Sequence, residues 1–233
     1  MHIYLLIGQS NMAGRGVMVE GDDAPVANVV RLNEQEEWEP AGHPLHRDLE
    51  TAGVGVGIDF ARRMLEQGDA ASIGLVPCAV GGTPLSRWVK GADLYEEAIR
   101  RTKIAMQHGP LNGALWHQGE SDTGTTELAD SYAARLDRMI SDLRADLDAP
   151  HLPFIVGELC RVEPQHSLCK YGDTVNAALK SLPDRVPDTG WVSSEGLTHK
   201  GDYVHFNADS LRRLGRRYAE QLILLQAVAT SNP

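Results

Sequence analysis

Short, nearly continuous apolar segments recur along the chain, and polar positions cluster between them. Segments of this kind are typical of parallel strands covered on both faces, because alternation with polar residues is lost where neither face meets water. Five segments fit this description, the last more weakly than the others: residues 3–7, 73–76, 111–116, 153–156 and 191–193. The pattern therefore predicts five buried strands.

A second pattern, with apolar residues every three or four positions, occupies intervals between these strands and predicts amphipathic helices. The longest stripe follows the third strand and comprises Leu128, Tyr132, Leu136, Ile140, Leu143 and Leu147. Near the end of the chain, Asn207 is a suitable N-cap for another helix. Strands that alternate with helices predict an α/β fold, in which a parallel sheet lies between two helix layers.

Two segments, residues 14–53 and 161–170, interrupt the alternation. The first is rich in Gly, Pro, Glu and Asp, and we expect it to run as a long excursion over the carboxyl edge of the sheet. The second is expected to form a loop. The chain has 233 residues and no segment that resembles a linker, so we expect one domain over residues 1–233.

The charge balance limits the classes of partner. The chain has 22 Lys and Arg residues against 32 Asp and Glu residues, which gives a formal net charge of −10. A nucleic acid or an anionic membrane surface would require a basic face on the protein. We therefore expect neither as a partner, whereas the oligomeric state does not follow from the sequence.

The compartment is an expectation from the same residues. No apolar segment is long enough to span a membrane. The apolar amino terminus lacks a positively charged lead and continues into the first strand, so we expect a cytoplasmic protein, with secretion open if a signal was removed. The cysteines Cys78, Cys160 and Cys169 are expected to be free thiols, and a Cys160–Cys169 pair is the alternative in an oxidising compartment.

Reactive residues follow directly on the predicted strands. Ser10 follows the first strand, Gly82 lies after the second, and Gln118 lies after the third. Asp202 and His205 stand three residues apart in a late loop. Ligands of open parallel sheets bind where the strands end, so we expect these residues to meet at one edge of the sheet.

Ser10, His205 and Asp202 are the residue types that acyl transfer requires. The hydroxyl attacks, the imidazole takes its proton, and the carboxylate holds the imidazole in the right tautomer. Each residue also has a structural interpretation, since a serine after a strand is often a helix N-cap and a histidine can belong to a core. Met12 stands where the second glycine of a Gly-x-Ser-x-Gly elbow would be, which disfavours an ordinary α/β-hydrolase.

The same loops offer donors for an oxyanion. The backbone N–H groups of Ser10 and Gly82, together with the side-chain amide of Gln118, are the expected donors. A tight turn at Gly82 and a loop-tethering hydrogen bond from Gln118 are the structural alternatives. Glu120 is a candidate supporting acid. The candidate substrate contacts, for which packing is the alternative, are Gln9, Asn11, Arg87 and Trp88.

Two other functions remain open from these residues. His117, Glu120 and Asp122 are residue types that bind divalent metals, so a metal-dependent hydrolase that uses them, with Asp202, is the first alternative. The cluster lacks the helical His-x-x-x-His spacing, and no metal is expected. The second alternative is a catalytically inactive carbohydrate-binding protein.

Four ordered blocks of the chain resemble the SGNH-hydrolase superfamily. They are residues 8–12 (Gly-Gln-Ser-Asn-Met), 81–88, 117–122 (His-Gln-Gly-Glu-Ser-Asp) and 202–206 (Asp-Tyr-Val-His-Phe). More narrowly, the blocks resemble the branch formed by sialate O-acetylesterases and carbohydrate esterase family six, the acetyl xylan esterases. This chain has Gln118 where the superfamily name refers to an asparagine.

The resemblance implies a flavodoxin-like three-layer α/β/α sandwich with a five-stranded parallel sheet. It also implies a serine esterase that needs no cofactor and removes O-acetyl groups from a carbohydrate, such as acetylated xylan, sialic acid or a related glycan. In that family pattern Ser10 matches the nucleophile, Gly82 an oxyanion donor, and His205 the base with Asp202 as its partner. The expected partner is a small-molecule or polysaccharide acetyl ester.

Overall fold

A mostly parallel sheet organises the part of the chain described by the computed structural model, residues 1–161 and 169–231. Within these residues it has seven strands: β1 (His2–Gly8), β2 (Val29–Leu32), β3 (Trp38–Pro40), β4 (Ile73–Pro77), β5 (Leu111–His117), β6 (Phe154–Gly157) and β7 (Thr189–Val192). Their order is β3-β2-β4-β1-β5-β6-β7. Neighbouring strands are parallel except for β2 and β3, which are antiparallel.

The five strands predicted from apolar segments are β1, β4, β5, β6 and β7, but the expected strand number was wrong. The segment 14–53 contributes β2 and β3, which extend the sheet beyond β4. Arg31 lies in the middle of β2 and is buried, since its guanidinium donates to the carbonyl of Leu45 and to the carboxylate of Glu39. A charged residue that is buried through such contacts breaks the apolar pattern from which strands are predicted.

Helices cover both faces of the sheet. They are α1 (Ser10–Ala13), α2 (Gly57–Gln67), α3 (Asp93–Ala105), α4 (Thr126–Asp146), α5 (Gly172–Lys180), α6 (Leu182–Arg185) and α7 (Ala208–Ser231). One apolar core joins α3, α4, α5 and α6 to one face, whereas a second core joins α2 and α7 to the other. Side chains of β1 alternate between the two cores, with Leu5 in the first and Leu6 in the second. The predicted three-layer α/β/α sandwich is confirmed.

The strand order determines where a ligand site can form. Counted without β2 and β3, the order β4-β1-β5-β6-β7 is the 2-1-3-4-5 order of flavodoxin-like sheets. The chain runs outward from β1 to β4 on one side and then continues from β5 on the other side. A crevice opens at such a switch point, at the carboxyl ends of the strands. The carboxyl end of β1, two residues before Ser10, therefore lies at the favoured place.

The structure can be compared with the expectations about membrane spans, the cysteines and the second loop. No helix among residues 1–161 and 169–231 is long and apolar enough to cross a membrane. Cys78, Cys160 and Cys169 are free thiols. The loop expected at residues 161–170 falls largely on residues 162–168, which lie outside the described residues.

Candidate active site

Ser10 is the first residue of the one-turn helix α1, and only Gln9 separates it from the end of β1 at Gly8. The chain turns there with a φ of +130° at Gly8, a conformation that favours glycine. A Cβ at this position would lie 2.2 Å from the carbonyl oxygen of His117 on the neighbouring strand. Glycine therefore permits the close approach of β1 and β5 that places Ser10 at the edge of the sheet.

Ser10, His205 and Asp202 form a hydrogen-bonded chain, although Ser10 and His205 are 195 positions apart. Oγ of Ser10 lies 2.9 Å from Nε2 of His205. Nδ1 of His205 lies 2.8 Å from Oδ2 of Asp202. In this geometry the imidazole can accept the hydroxyl proton at one nitrogen while the carboxylate holds the other.

The carboxylate of Asp202 is stabilised in its ionised form. Partial burial acts to raise its pKa, but hydrogen bonds from the backbone and side chain of His205 and from the Val204 N–H outweigh it. These bonds hold the pKa of Asp202 well below its usual range. The residue is thus a permanent anion near neutral pH, as an imidazole-orienting group requires.

Asn11 connects the helix that carries Ser10 to the loop that carries His205, and it is fully buried. Its Nδ2 donates to Oε1 of Glu120 at 2.6 Å and to the carbonyl of Val204 at 3.1 Å, while its Oδ1 accepts the N–H of Phe206. The bonds to Val204 and Phe206 bracket His205 in the sequence. The expectation that Asn11 contacts substrate was wrong, because its polar atoms are all engaged within the protein.

Gly82 presents a backbone N–H in the loop after β4. Its φ of +71° lies in the left-handed region, and this backbone conformation explains the preference for glycine. Crowding does not explain it, because no heavy atom lies within 4 Å of an added Cβ. The preceding N–H, of Gly81, donates to Oδ2 of Asp48, which in turn pairs with the guanidinium of Arg15. No acceptor for the N–H of Ser10 or Gly82 occurs among the described hydrogen bonds.

Gln118 differs from its expected role. Its side chain is 0% exposed, and its Nε2 donates both hydrogens, one to the carbonyl of Thr83 at 3.1 Å and one to Asp122 at 2.7 Å. Its Oε1 accepts the hydroxyl of Tyr132. The amide therefore lies beneath the Gly82 loop and has no hydrogen left for an oxyanion, which contradicts the sequence expectation for this residue.

An open cavity of about 450 Å³ borders these residues. Its lining consists of Gln9, Ser10, Arg15, Leu49, Gly81, Gly82, Glu120, Ser121, Val204 and His205. Sequence reasoning missed Arg15, Leu49 and Asp48, because they come from the segment 14–53, which has no motif that marks them.

Arg87 and Trp88 are absent from this lining; burial argues against the expected substrate contact of Trp88, whereas that of Arg87 stays a prediction. Trp88 is 2% exposed, packs edge-on against Trp116, and donates its indole N–H to Oγ1 of Thr83. Arg87 pairs with Asp93 at the surface. Trp88 therefore supports the loop after β4 through Thr83.

Glu120 lies in the cavity wall with an unusual carboxyl group. Burial raises its pKa to about 7, and the hydrogen bond from Asn11 only partly offsets that effect. Its Oε2 is buried and has no partner. Glu120 contacts the loop of His205 through Asn11, whereas the imidazole itself is held by Asp202.

The residues considered for a metal do not converge on one point. Nδ1 of His117 lies 3.0 Å from the hydroxyl of Tyr218, and burial lowers the pKa of this imidazole to about 3. The carboxylate of Asp122 accepts from Arg135, from Gln118 and from the backbone N–H of Leu85. Among residues 1–161 and 169–231, no group of three or more His, Cys, Asp or Glu side chains has the geometry to hold a metal ion.

Known proteins resemble the chain over nearly its whole length. The family model described as "carbohydrate esterase, sialic acid-specific acetylesterase" matches residues 1–224. A probable carbohydrate esterase of Arabidopsis thaliana is 36% identical over 238 residues, covering 94% of this chain and 88% of that protein. A probable 9-O-acetyl-N-acetylneuraminic acid deacetylase of Escherichia coli K12 is 31% identical over 133 residues, or 47% of this chain and 40% of that protein.

Solved structures give the same result. The X-ray structure of an Arabidopsis thaliana protein superposes with a TM-score of 0.86 at 33% identity, covering 96% of this chain and 98% of that chain. The crystal structure of NanS has a TM-score of 0.80 at 19% identity, covers 97% and 98% of the two chains, and shows the shared fold. The chain therefore belongs to the carbohydrate esterase family of sialic acid-specific acetylesterases, and it is a carboxylic ester hydrolase.

Proposed function

We propose that this protein is a serine esterase that removes O-acetyl groups from a carbohydrate through an acetyl-enzyme intermediate. The observation that carries the proposal is the hydrogen-bonded chain from Ser10 through His205 to Asp202 at the edge of an open cavity. The backbone N–H of Gly82, free of an internal acceptor among the described residues, borders the same cavity. Nucleophile, base and oxyanion donor thus meet where an ester can enter.

In the first half-reaction, Oγ of Ser10 attacks the acetyl carbonyl carbon while Nε2 of His205 takes the hydroxyl proton. The carbonyl oxygen becomes an oxyanion, which the N–H groups of Ser10 and Gly82 stabilise. The tetrahedral intermediate then collapses as the bond to the sugar oxygen breaks. His205 returns its proton to that oxygen, so the deacetylated carbohydrate leaves as an alcohol and the acetyl group remains on Ser10.

In the second half-reaction, a water molecule replaces the sugar. His205 accepts a proton from the water as its oxygen attacks the acetyl carbon, and the new oxyanion uses the same donors. The bond between the acetyl carbon and Oγ of Ser10 breaks, and His205 protonates Oγ. Acetic acid leaves and the starting state is restored. Asp202 stays ionised throughout and stabilises the imidazolium in both halves.

Glu120 supports this machinery indirectly. Its Oε1 accepts from Asn11, and Asn11 fixes the backbone on both sides of His205. The role that we propose for Glu120 is therefore to hold the histidine loop in register with Ser10. Gln118 has a similar role below the Gly82 loop, through its hydrogen bond to the carbonyl of Thr83.

The substrate class is an acetylated carbohydrate, with acetylated xylan, acetylated sialic acid and related glycans as the members to test. The family and the relatives support carbohydrate O-deacetylation. The open cavity supports it too, because Ser10 is part of its lining and an acetyl group can reach the hydroxyl from solvent. A small-molecule or polysaccharide acetyl ester is the partner that this proposal requires.

A fluorophosphonate probe combined with a substrate panel tests the proposal. We expect one probe per chain on Ser10, none in Ser10→Ala, slow labelling in His205→Ala, and turnover of acetylated sugars that survives EDTA. Loss of turnover with EDTA would favour a metal-dependent hydrolase. A folded protein that binds glycans but is neither labelled nor active would be a carbohydrate-binding protein, and would contradict the proposal.

A further inference from the structure

The loop that presents the Gly82 N–H contains two consecutive glycines, Gly81 and Gly82. Glycine has more backbone freedom than any other residue, so local sterics alone do not determine the direction of this N–H. The neighbouring residues are fixed: Val80 donates its N–H to the carbonyl of Gly8 at 3.1 Å, and the carbonyl of Thr83 accepts a side-chain amide. The glycine pair between these points requires a contact of its own.

Asp48 supplies that contact from the segment between β3 and α2. Its Oδ2 accepts the backbone N–H of Gly81 at 2.8 Å. Its side chain is 3% exposed, and both carboxylate oxygens pair with the guanidinium of Arg15, Oδ1 at 3.1 Å and Oδ2 at 2.5 Å. Because the carboxylate is held at both oxygens, it cannot turn away from the loop. Asp48 is thus a fixed acceptor for the residue that precedes Gly82.

Arg15 connects this carboxylate to the helix that carries Ser10. The N–H of Gly14 donates to the carbonyl of Ser10 at 2.8 Å, and Nη1 of Arg15 donates to the carbonyl of Gly14 at 2.8 Å. The guanidinium also approaches the glycine pair closely, since a Cβ at Gly81 would lie 2.3 Å from Nη2 of Arg15. A continuous series of contacts therefore runs from the helix of the nucleophile to the loop of Gly82.

We propose that Asp48 is a positioning residue, which is held by Arg15 and directs the Gly82 N–H toward the oxyanion. The inference rests on the proposed function, in which that N–H stabilises the developing charge. A donor that is fixed before the reaction costs no reorganisation when charge appears. Asp48 acts through the backbone of Gly81 and needs no contact with the acetyl group. Its effect is therefore expected in kcat rather than in KM.

Two double variants separate the acceptor at position 48 from the buried ion pair. Both carry Arg15→Met, combined with either Asp48→Asn or Asp48→Leu. The two replacements have similar shapes and leave no unpaired buried charge, so we expect similar melting temperatures. Only Asp48→Asn keeps an oxygen that can accept the Gly81 N–H. With an aryl acetate, kcat is expected to be at least about tenfold lower for the Asp48→Leu variant, with KM nearly the same in both.

A matched control removes an ion pair elsewhere. Arg138→Met with Asp142→Leu removes the surface pair on α4, which is not part of the cavity lining, and should leave kcat equal to that of wild type. If the Asp48→Leu variant does not fold, Asp48→Ala takes its place in the Arg15→Met background. Alanine also lacks an acceptor, so the same difference in kcat from the Asp48→Asn variant is expected.

Either of two results would overturn the assignment of Asp48. One is a kcat that agrees within about twofold between the variants with and without the acceptor. The other is a raised KM with an equal kcat in the variant without the acceptor, because the side chain would then bind substrate instead of directing the Gly82 N–H. Failure of the proposed function has a different signature, since wild type itself would then lack esterase activity or Ser10→Ala would retain it.

Discussion

The two sides of the cavity are built differently. The nucleophile side uses the ends of the central strands, and below it Gln118, Asp122 and Tyr132 form a fully buried hydrogen-bonded network. The base side is an exposed loop: the side chains of His205 and Asp202 are 25% and 37% exposed. The difference suggests separate duties. One side fixes positions through the fold, whereas the other supplies a proton acceptor that water can reach.

Asn11 is the principal link between these sides. It lies in α1 next to Ser10, and its side chain forms hydrogen bonds with the backbone on both sides of His205. The base loop itself carries strain, since Tyr203 has a φ of +65°, which is unfavourable for an aromatic residue. Changes on the base side are therefore expected to affect rate more than stability, and changes in the buried network to affect stability as well.

Ser10→Ala is expected to have the largest effect on rate. Removal of the nucleophile leaves only substrate binding and oxyanion stabilisation, so kcat/KM should fall by about 10⁴-fold or more. The melting temperature should change little, because Oγ has His205 as its hydrogen-bond partner at the surface of the cavity. Aryl acetate kinetics and thermal unfolding measure both. Retention of more than a hundredth of the activity would contradict the role of Ser10.

Asp202→Asn removes the carboxylate that holds His205 and leaves the residues around Ser10 unchanged. The amide cannot hold His205 in the required tautomer, and kcat should fall by about 10³ to 10⁴-fold. The lowered pKa of Asp202 also predicts a pH effect on stability: the contribution of the carboxylate is present above its unfolded pKa and is lost as the pH falls toward the folded value. Kinetics and unfolding across pH test both statements. A loss below tenfold would mean that another acid orients the imidazole.

Asp122→Asn breaks the buried network on the nucleophile side. The carboxylate accepts from Leu85, Gln118 and Arg135 and is 0% exposed. Its loss should lower the free energy of unfolding by about 3 kcal/mol, because donors are left unsatisfied and a partly buried cation loses its partner. Chemical denaturation measures the change.

The matched control for that network is Asp142→Asn, which removes a carboxylate from the surface pair with Arg138 and should leave the unfolding transition nearly unchanged. Equal effects of the two variants would contradict the distinction between a fixed side and an exposed side. Activity of Asp122→Asn should fall less than that of Ser10→Ala, since its contact with the reacting groups is indirect.

Glu120→Gln tests the group that accepts a hydrogen bond from Asn11, the residue that links the two sides. The pKa of Glu120, raised by burial to about 7 from an ordinary 4.5, means that wild type loses stability as the pH rises through that interval. Glutamine does not titrate, so the stability of Glu120→Gln relative to wild type should increase by about 2 to 3 kcal/mol between pH 4 and pH 8. Unfolding at both pH values measures it, and a pH-independent difference would contradict the raised pKa.

Much of the fold follows from the sequence because the central strands are buried on both faces. Their apolar segments have few other interpretations, and the strand–helix alternation determines a parallel sheet. The outer strands β2 and β3 do not follow, since Arg31 is buried through contacts with Leu45 and Glu39 that come from later residues. Tertiary contacts of this kind leave no local periodic signal.

The candidate site, like the fold, follows only in part from the sequence. Chain order and the rule that ligands bind at strand ends predict that Ser10, His205 and Asp202 lie near one another. They do not determine which way an amide points. Gln9 and Gln118 both follow central strands, yet packing around Tyr132 and Asp122 encloses the second while the first remains in the cavity wall. Side-chain direction depends on neighbours from distant segments, and the same holds for Trp88.

Rapid quenching of the enzyme with an excess of an aryl acetate, followed by mass analysis of its peptides, tests the central claim most directly. The account predicts one acetyl group per chain during turnover, on the peptide that carries Ser10, and none in Ser10→Ala. Turnover without acetylation of that peptide, or continued turnover by Ser10→Ala, would contradict it.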